Sequence, residues 1–168
     1  GRPVQLQVEK TPAQPGDVVL GVEGLTVPSK LHKNNAVKNV SFQVRRGEIV
    51  CIAGIDGNGQ SELVYGLTGL EKASKGTVTL CGKNISKASI RSRADAGMSH
   101  IPEDRHKHGL VLDFTLEQNM VLQNYKDPRF QTFGIINGPA IRAYANSLIE
   151  QFAVRSGQVP VTVARSMS

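Results

Sequence analysis

The chain has no tryptophan, an aromatic content of 5% and two cysteines among 168 residues. With so few rings, aliphatic side chains must fill any interior, which suits a β-rich or layered α/β domain. Two cysteines cannot form the disulfide framework of a small secreted scaffold. Cys51 lies in an apolar run and reads as a small core residue, and Cys81 sits beside Gly82 in a turn. Neither has metal-ligand spacing, so a reducing compartment is the default. No run approaches the ~18 apolar residues of a membrane span, and no signal peptide is recognisable. Internal repeats and low-complexity blocks are absent, and the first residue is Gly1 rather than methionine, which predicts that the sequence begins inside a longer protein.

Charge excludes little. The net charge of +6 comes from scattered basic residues: Lys30 and Lys33, Arg45 and Arg46, Arg91 and Arg93, Arg105 and Lys107. They are not interleaved with aromatics as on a single-strand nucleic-acid platform. A solvated basic surface with no nucleic-acid partner is expected. The length allows one domain that buries roughly 70% of its unfolded surface.

The informative stretch is IVCIAGIDGNGQSELVYGLTGL, Ile49 to Leu70. The apolar run Ile49–Ala53 reads as a buried strand, followed by Gly54, Gly57 and Gly59. A helical pattern then starts at Ser61, with Leu63, Leu67 and Leu70 on one face. Strand, glycine loop and helix is the layout of a phosphate-binding loop. Glycines let backbone N–H groups converge on an anion, and the helix N-terminus adds partial positive charge. Against the spacing G-x-x-x-x-G-K-[ST], the chain reads Gly54, Ile55, Asp56, Gly57, Asn58, Gly59, Gln60, Ser61. Gln60 takes the lysine slot. A neutral amide in place of a charge-assisted donor worth about 1.5–3 kcal/mol weakens phosphate binding by roughly ten- to a hundredfold. Ser61 is the expected Mg²⁺ ligand, and Glu62 adds negative charge beside the site.

Around this unit, residues 1–16 are polar and carry Pro3, Pro12 and Pro15, a linker or extended arm. Val18 to Val27 and Val37 to Val44 read as strands, the latter closed by Arg45-Arg46-Gly47. Thr77 to Leu80 and Ile85 flank a hairpin signal at Cys81-Gly82. A short helix capped by Ser89 precedes a short strand at Met98–Ile101. Glu103 to Phe114 is a polar exposed loop. Thr115 to Gln123 reads as helical, and Phe130 to Asn137 as irregular. Asn137 caps a helix with Pro139 near its start, in which Ile141, Tyr144, Leu148 and Phe152 form one stripe. Ser156 to Ser168 shows no periodicity. The fold class is α/β.

Val40-Ser41-Phe42, Arg46-Gly47-Glu48-Ile49 and AGIDGNGQSEL resemble the nucleotide-binding domain of ATP-binding cassette (ABC) transporters. The later string SHIPEDRHKHGLVLDFTLEQNMVL, ending at Leu122, is similar to the second, C-terminal cassette of tandem-cassette importers of the nucleoside type, with ribose- and galactose-type sugar importers next. The resemblance implies a partial P-loop ATPase fold: residues 1–16 a linker from a preceding cassette, 17–104 an antiparallel β-subdomain with the phosphate-loop core, and 105–168 a helical subdomain. It implies ATP and Mg²⁺ as cofactors, bound through Gly54, Asp56, Gly57, Asn58, Gly59, Gln60, Ser61 and Glu62. Glu103 falls at the Q-loop position as a second candidate metal contact with Ser61, and His32 is the candidate nearest to an adenine-stacking position. Met167-Ser168 matches the first two positions of the ABC signature, so Walker B and the catalytic glutamate would lie beyond Ser168. No catalytic residue is therefore expected within these residues, and no hydrolysis by them alone. The implied partners are the first cassette of the same subunit, transmembrane permease subunits and, indirectly, a substrate-binding lipoprotein, at the cytoplasmic face of the cell membrane.

Overall fold

The computed structural model describes residues 10–29, 34–155 and 157–167. The chain divides into two compact units, Gly1–His100 and Ile101–Ser168. His32, Lys30 and Lys33 lie outside the described residues, as do residues 1–9 of the expected linker and Ser168. Among the described residues, no helix is long and apolar enough to cross a membrane.

The first unit is an antiparallel sheet with one helix packed on it. Its strands are β1 (Val18–Pro28), β2 (Asn35–Arg45), β3 (Lys75–Leu80) and β4 (Lys83–Asn84), in the order β2-β1-β3-β4. Helices α1 (Gln60–Thr68) and α2 (Ile90–Asp95) complete it. On β1 the buried residues Val22, Leu25 and Val27 break the period of two between 22 and 25. A bulge resets the parity there, with Val22 opposite Phe42 and Leu25 opposite Val40. Gly24, at φ 59, is the residue that absorbs it. The β3–β4 turn has positive φ at both Cys81 (48°) and Gly82 (77°), the conformation that a two-residue hairpin needs.

The core gathers Val22, Leu25, Val27, Val37, Leu63, Val78 and Ile85, with Leu67 of α1 packed against it. Helix and sheet meet closely because Gly66 has no side chain: a Cβ there would come within 2.6 Å of Val27 Cγ2. Leu70, expected on the same apolar face, is 47% exposed. The helix has ended at Gly69, a left-handed C-cap at φ 83.

Two expected strands are corrected. Ile49–Ala53 is not part of any sheet, and Ile49 (93% exposed), Val50, Ile52 and Cys51 face solvent. The run keeps its strand-like composition, but burial of a strand requires ladder partners and covering layers. Among the described residues nothing pairs with it. Met98–Ile101 likewise forms no strand, and Ile101 is exposed.

Arg93 is also corrected. Grouped by sequence with the solvated basic residues, it is 4% exposed. Its guanidinium donates to Leu67 O at 2.7 Å, Ala88 O at 3.1 Å and Ser86 O at 3.1 Å. Burial lowers its pKa from the ordinary arginine value, yet a guanidinium stays charged in a protein. It therefore acts as a fixed cation at the carbonyl end of α1, where the helix dipole is negative. Ser89 caps α2 by accepting from Ser92 N, as its sequence position predicts.

The second unit holds a π-helical turn (Arg105–Gly109), α3 (Leu116–Val121), β5 (Gln131–Thr132), β6 (Ile135–Ile136), α4 (Gly138–Gln151) and a 3-10 turn (Ala164–Ser166). Thr115 and Gln118 form a reciprocal capping box at the start of α3. Asn137 caps α4 by accepting from Ala140 N, with Pro139 in the first turn. Val121, Phe130 and Ile141 make the core, joined by Tyr144 with its ring 5.0 Å from that of Phe130. Of the expected stripe, Phe152 falls out: it is the C-cap of α4 and 68% exposed. Phe130 to Asn137, expected to be irregular, contains the β5–β6 hairpin. Its turn places Phe133 (φ 51) and Gly134 (φ 83) in the left-handed region. Phenylalanine is rare there, which removes the usual sequence signal.

The tail after α4 returns to the start of α3. Leu116 N donates to Thr162 O, Glu117 N to Pro160 O and Ala164 N to Phe114 O. Val159–Pro160 is a cis peptide. Arg142 of α4 donates two bonds to Glu117 of α3, at 2.8 and 2.9 Å.

Two stability outcomes follow. Arg93→Met fills the same space but leaves three carbonyls without their cation, and it lowers unfolding stability by about 2–4 kcal/mol in a denaturant titration; a change under about 0.5 kcal/mol overturns the clamp. The hydrogen bond from Arg142, then its charge, hold Glu117 below the ordinary carboxylate value. A depressed folded pKa means that this stabilisation is present above the ordinary carboxylate range and is lost as pH falls through the folded value. Arg142 is exposed, so solvent screening keeps the contribution small. Glu117→Gln accordingly flattens the acid limb of a melting-temperature profile, and an unchanged slope refutes the assignment.

Candidate phosphate-binding loop

The candidate loop is built between β2 and α1. After β2 the chain turns at Arg45–Glu48, where Arg45 N donates to the Glu48 carboxylate at 2.7 Å and Glu48 N to Arg45 O. The exposed run then leads into a second turn at Ile55–Asn58, closed by Asn58 N on Ile55 O at 3.1 Å. Gly57 occupies its third position at φ 82, a place where a side chain is strained.

Gly59 is the pivot. It is the N-cap of α1, with φ 94, and its own carbonyl accepts from Leu63 N at 2.9 Å. A Cβ at Gly59 would meet Ala36 O of β2 at 2.7 Å. The residue is therefore fixed by backbone angle and by packing at once. It offers no side-chain cap to the helix, so the first-turn N–H groups of α1 are not capped from position 59. They carry the positive end of the helix dipole.

Gln60, in the lysine slot, turns back over the loop. Its Nε2 donates to Ile55 O at 3.2 Å, and a Cβ on Gly54 would coincide with its amide. Ser61 and Glu62 follow in the first turn, both partly buried, with Glu62 the acidic residue there. Asp56 and Asn58 are exposed. The structure thus brings Gly54, Asp56, Gly57, Asn58, Gly59, Gln60, Ser61 and Glu62 into one loop and helix start.

This donor set fits phosphate. A turn of left-handed glycines opens onto a helix N-terminus whose cap has no side chain, with a hydroxyl and an amide in the first turn. The charge balance is poorer, since the loop supplies Asp56 and Glu62 but no cation. Glu103 belongs to the second unit, so its pairing with Ser61 is a matter of sequence resemblance and not of geometry. It stands beside Asp104, whose carboxylate accepts from Lys107 N at 2.9 Å and caps the π-helical turn. That bond first, then the amide and ring of His106 and the ring of His108, hold the Asp104 carboxyl below its ordinary value. The candidate adenine contact, His32, lies outside the described residues. Met167, the first of the signature positions, follows the 3-10 turn and is partly buried.

A cavity of about 600 Å³ does exist, but in the second unit, lined by Arg155, Gln158, Thr162, Val163, Ser166 and Met167 among others. No phosphate-loop residue lines it. An open loop that wraps an anion with backbone need not form a concave pocket, and the chemistry of the loop is the better guide. Sequence reasoning missed Ala36 and Arg93 as supports of α1. Neither had a local signal, because each acts across a separation of more than twenty residues.

Comparison with known proteins adds an independent line. The family described as ABC transporter matches residues 37–165. The guanosine import ATP-binding protein NupO of Bacillus subtilis (strain 168) is 44% identical over 168 residues, all of this chain and 32% of that protein. The nucleoside import ATP-binding protein NupA of Lactococcus lactis subsp. cremoris (strain MG1363) is 43% identical over 155 residues, 92% of this chain and 30% of that protein. The chain therefore spans about a third of the length of these relatives. A nucleotide-free ATP-binding cassette from an ABC transporter superposes with a TM-score of 0.66, covering 90% of this chain and 59% of that one at 18% identity. At that identity the likeness concerns the fold, mixed α/β with an antiparallel sheet.

Proposed function

Because the chain belongs to the ABC transporter family, we propose that it forms part of the ATP-binding subunit of a nucleoside importer, and that Gly54–Ser61 holds the phosphates of ATP. The observation that carries this reading is the loop itself: left-handed Gly57 and Gly59 feeding an α1 N-terminus with no side-chain cap. The match to a guanosine and a nucleoside import protein over most of the chain supports the substrate class.

In this reading the backbone N–H groups of the loop, that of Gln60 among them, hold phosphate oxygens. Ser61 would hold Mg²⁺ through its hydroxyl. Bound there, the metal would offset the negative charge of the phosphates. The chain's own residues bind and orient; they supply no charge from the lysine slot. The site is accordingly a degenerate one that binds nucleotide weakly and turns it over slowly. It is the second cassette of a tandem pair, and the first cassette of the same subunit provides most of the hydrolysis. Transmembrane permease subunits dock on the pair at the cytoplasmic face of the membrane, and a substrate-binding lipoprotein delivers the nucleoside to them.

Calorimetric titration with Mg-ATP tests the loop. The chain binds weakly, and Gln60→Lys tightens binding by about tenfold or more, as expected for restoring a charge-assisted donor. Binding by neither protein would reduce the loop to a structural turn and leave a docking module. The substrate class is tested by uptake in cells that carry the whole subunit with its permease: labelled guanosine enters and labelled ribose does not. Ribose uptake instead would place the subunit among sugar importers.

A further inference from the structure

We propose that Gln60 is a competitor built into the phosphate loop: its carboxamide occupies the loop as a self-ligand that a phosphate must displace. The inference rests on the nucleotide reading above and concerns how that site is regulated.

Two contacts define the self-ligand. The amide nitrogen donates to Ile55 O at 3.2 Å. The same amide fills the space that a Cβ on residue 54 would take. The first glycine of the loop thus provides a slot, and the side chain from the first turn of α1 closes over it. The contact spans the mouth of the loop, from the helix start back to the end of the preceding run. Any other residue at 54 would expel the amide.

The chemistry of the slot decides what such a contact does. A lysine folded onto the same carbonyl would leave readily for phosphate, because an ion pair is far stronger than an ammonium–carbonyl contact in a solvated turn. A carboxamide has no charge to draw it away. Its bond to Ile55 O is a neutral one, and it is intramolecular, so holding it orders little beyond one side chain. Meanwhile Asp56 and Glu62 add negative charge around the loop, which lowers the pull of the loop on an incoming anion. Under these conditions the self-contact competes. Glutamine in the lysine slot therefore does more than omit a charge: it keeps the loop closed until a ligand with enough phosphate charge opens it.

The sign of one substitution separates a competitor from a ligand. On the full chain, calorimetry with ADP is compared for the native protein, Gln60→Ala and Gln60→Lys. Removing a competing neutral hydrogen bond tightens ADP binding to Gln60→Ala by about three- to tenfold. Gln60→Lys tightens it further, since it removes the plug and adds a charge. A second readout does not depend on affinity: in the native chain one Gln60 side-chain amide proton exchanges slowly with solvent, and ADP at saturation accelerates its exchange. Binding by Gln60→Ala that is equal to or weaker than native overturns the proposal while leaving the nucleotide reading intact. Absence of ADP binding by all three proteins overturns both.

Discussion

The close approach of α1 to the sheet is the constraint on which the first unit depends. A helix usually stands off a sheet by the thickness of its side chains. Here Gly66 lets the backbone come down onto Val27, and Gly59 lets the helix start against the carbonyl of Ala36. Leu63 then enters the core between them. With both ends fixed on β1 and β2, the direction of α1 leaves little freedom, and so does the position of its first turn. The loop that precedes it inherits its shape from this packing.

The electrostatics of α1 follow from the same placement. Its carbonyl end meets the buried guanidinium of Arg93, which also ties α1 to the segment before α2 through Ser86 and Ala88. Its amide end carries no side-chain cap. One end of the dipole is thus met by a full positive charge within the protein, and the other is left for whatever the loop admits. Glutamine at position 60 keeps that polarity but withholds the cation that would complete an anion site.

Legibility in the sequence tracked how local each signal is. The caps at Ser89 and Asn137, the Cys81-Gly82 turn and the β1 and β2 strands are set by residues within a few positions of one another, and all appear in the structure. The loop geometry at Gly57 and Gly59 was readable for the same reason. Three features were not. The Ile49–Ala53 run has the composition of a buried strand, but burial depends on partners that composition does not contain. The β5–β6 turn uses Phe133 where a turn code expects asparagine or glycine. Arg93 looks like any surface arginine, and its burial comes from carbonyls at Leu67, Ser86 and Ala88 that converge only after folding.

The glycine spacing of the loop also has to be read with care, because packing asks for much of it. Gly59 is required by the backbone of Ala36 whether or not a phosphate ever binds, whereas at Gly54 an added Cβ would meet only the end of the flexible Gln60 side chain, which can move aside. Only Gly57, where an added Cβ would meet nothing within 4 Å, is required by its backbone angle alone. The residue types that bear on phosphate chemistry are the hydroxyl at Ser61, the carboxylate at Glu62 and above all the amide, in place of an ammonium, at position 60. An amide there makes a neutral bond to the carbonyl of Ile55, where an ammonium would bring a full charge to the mouth of the loop.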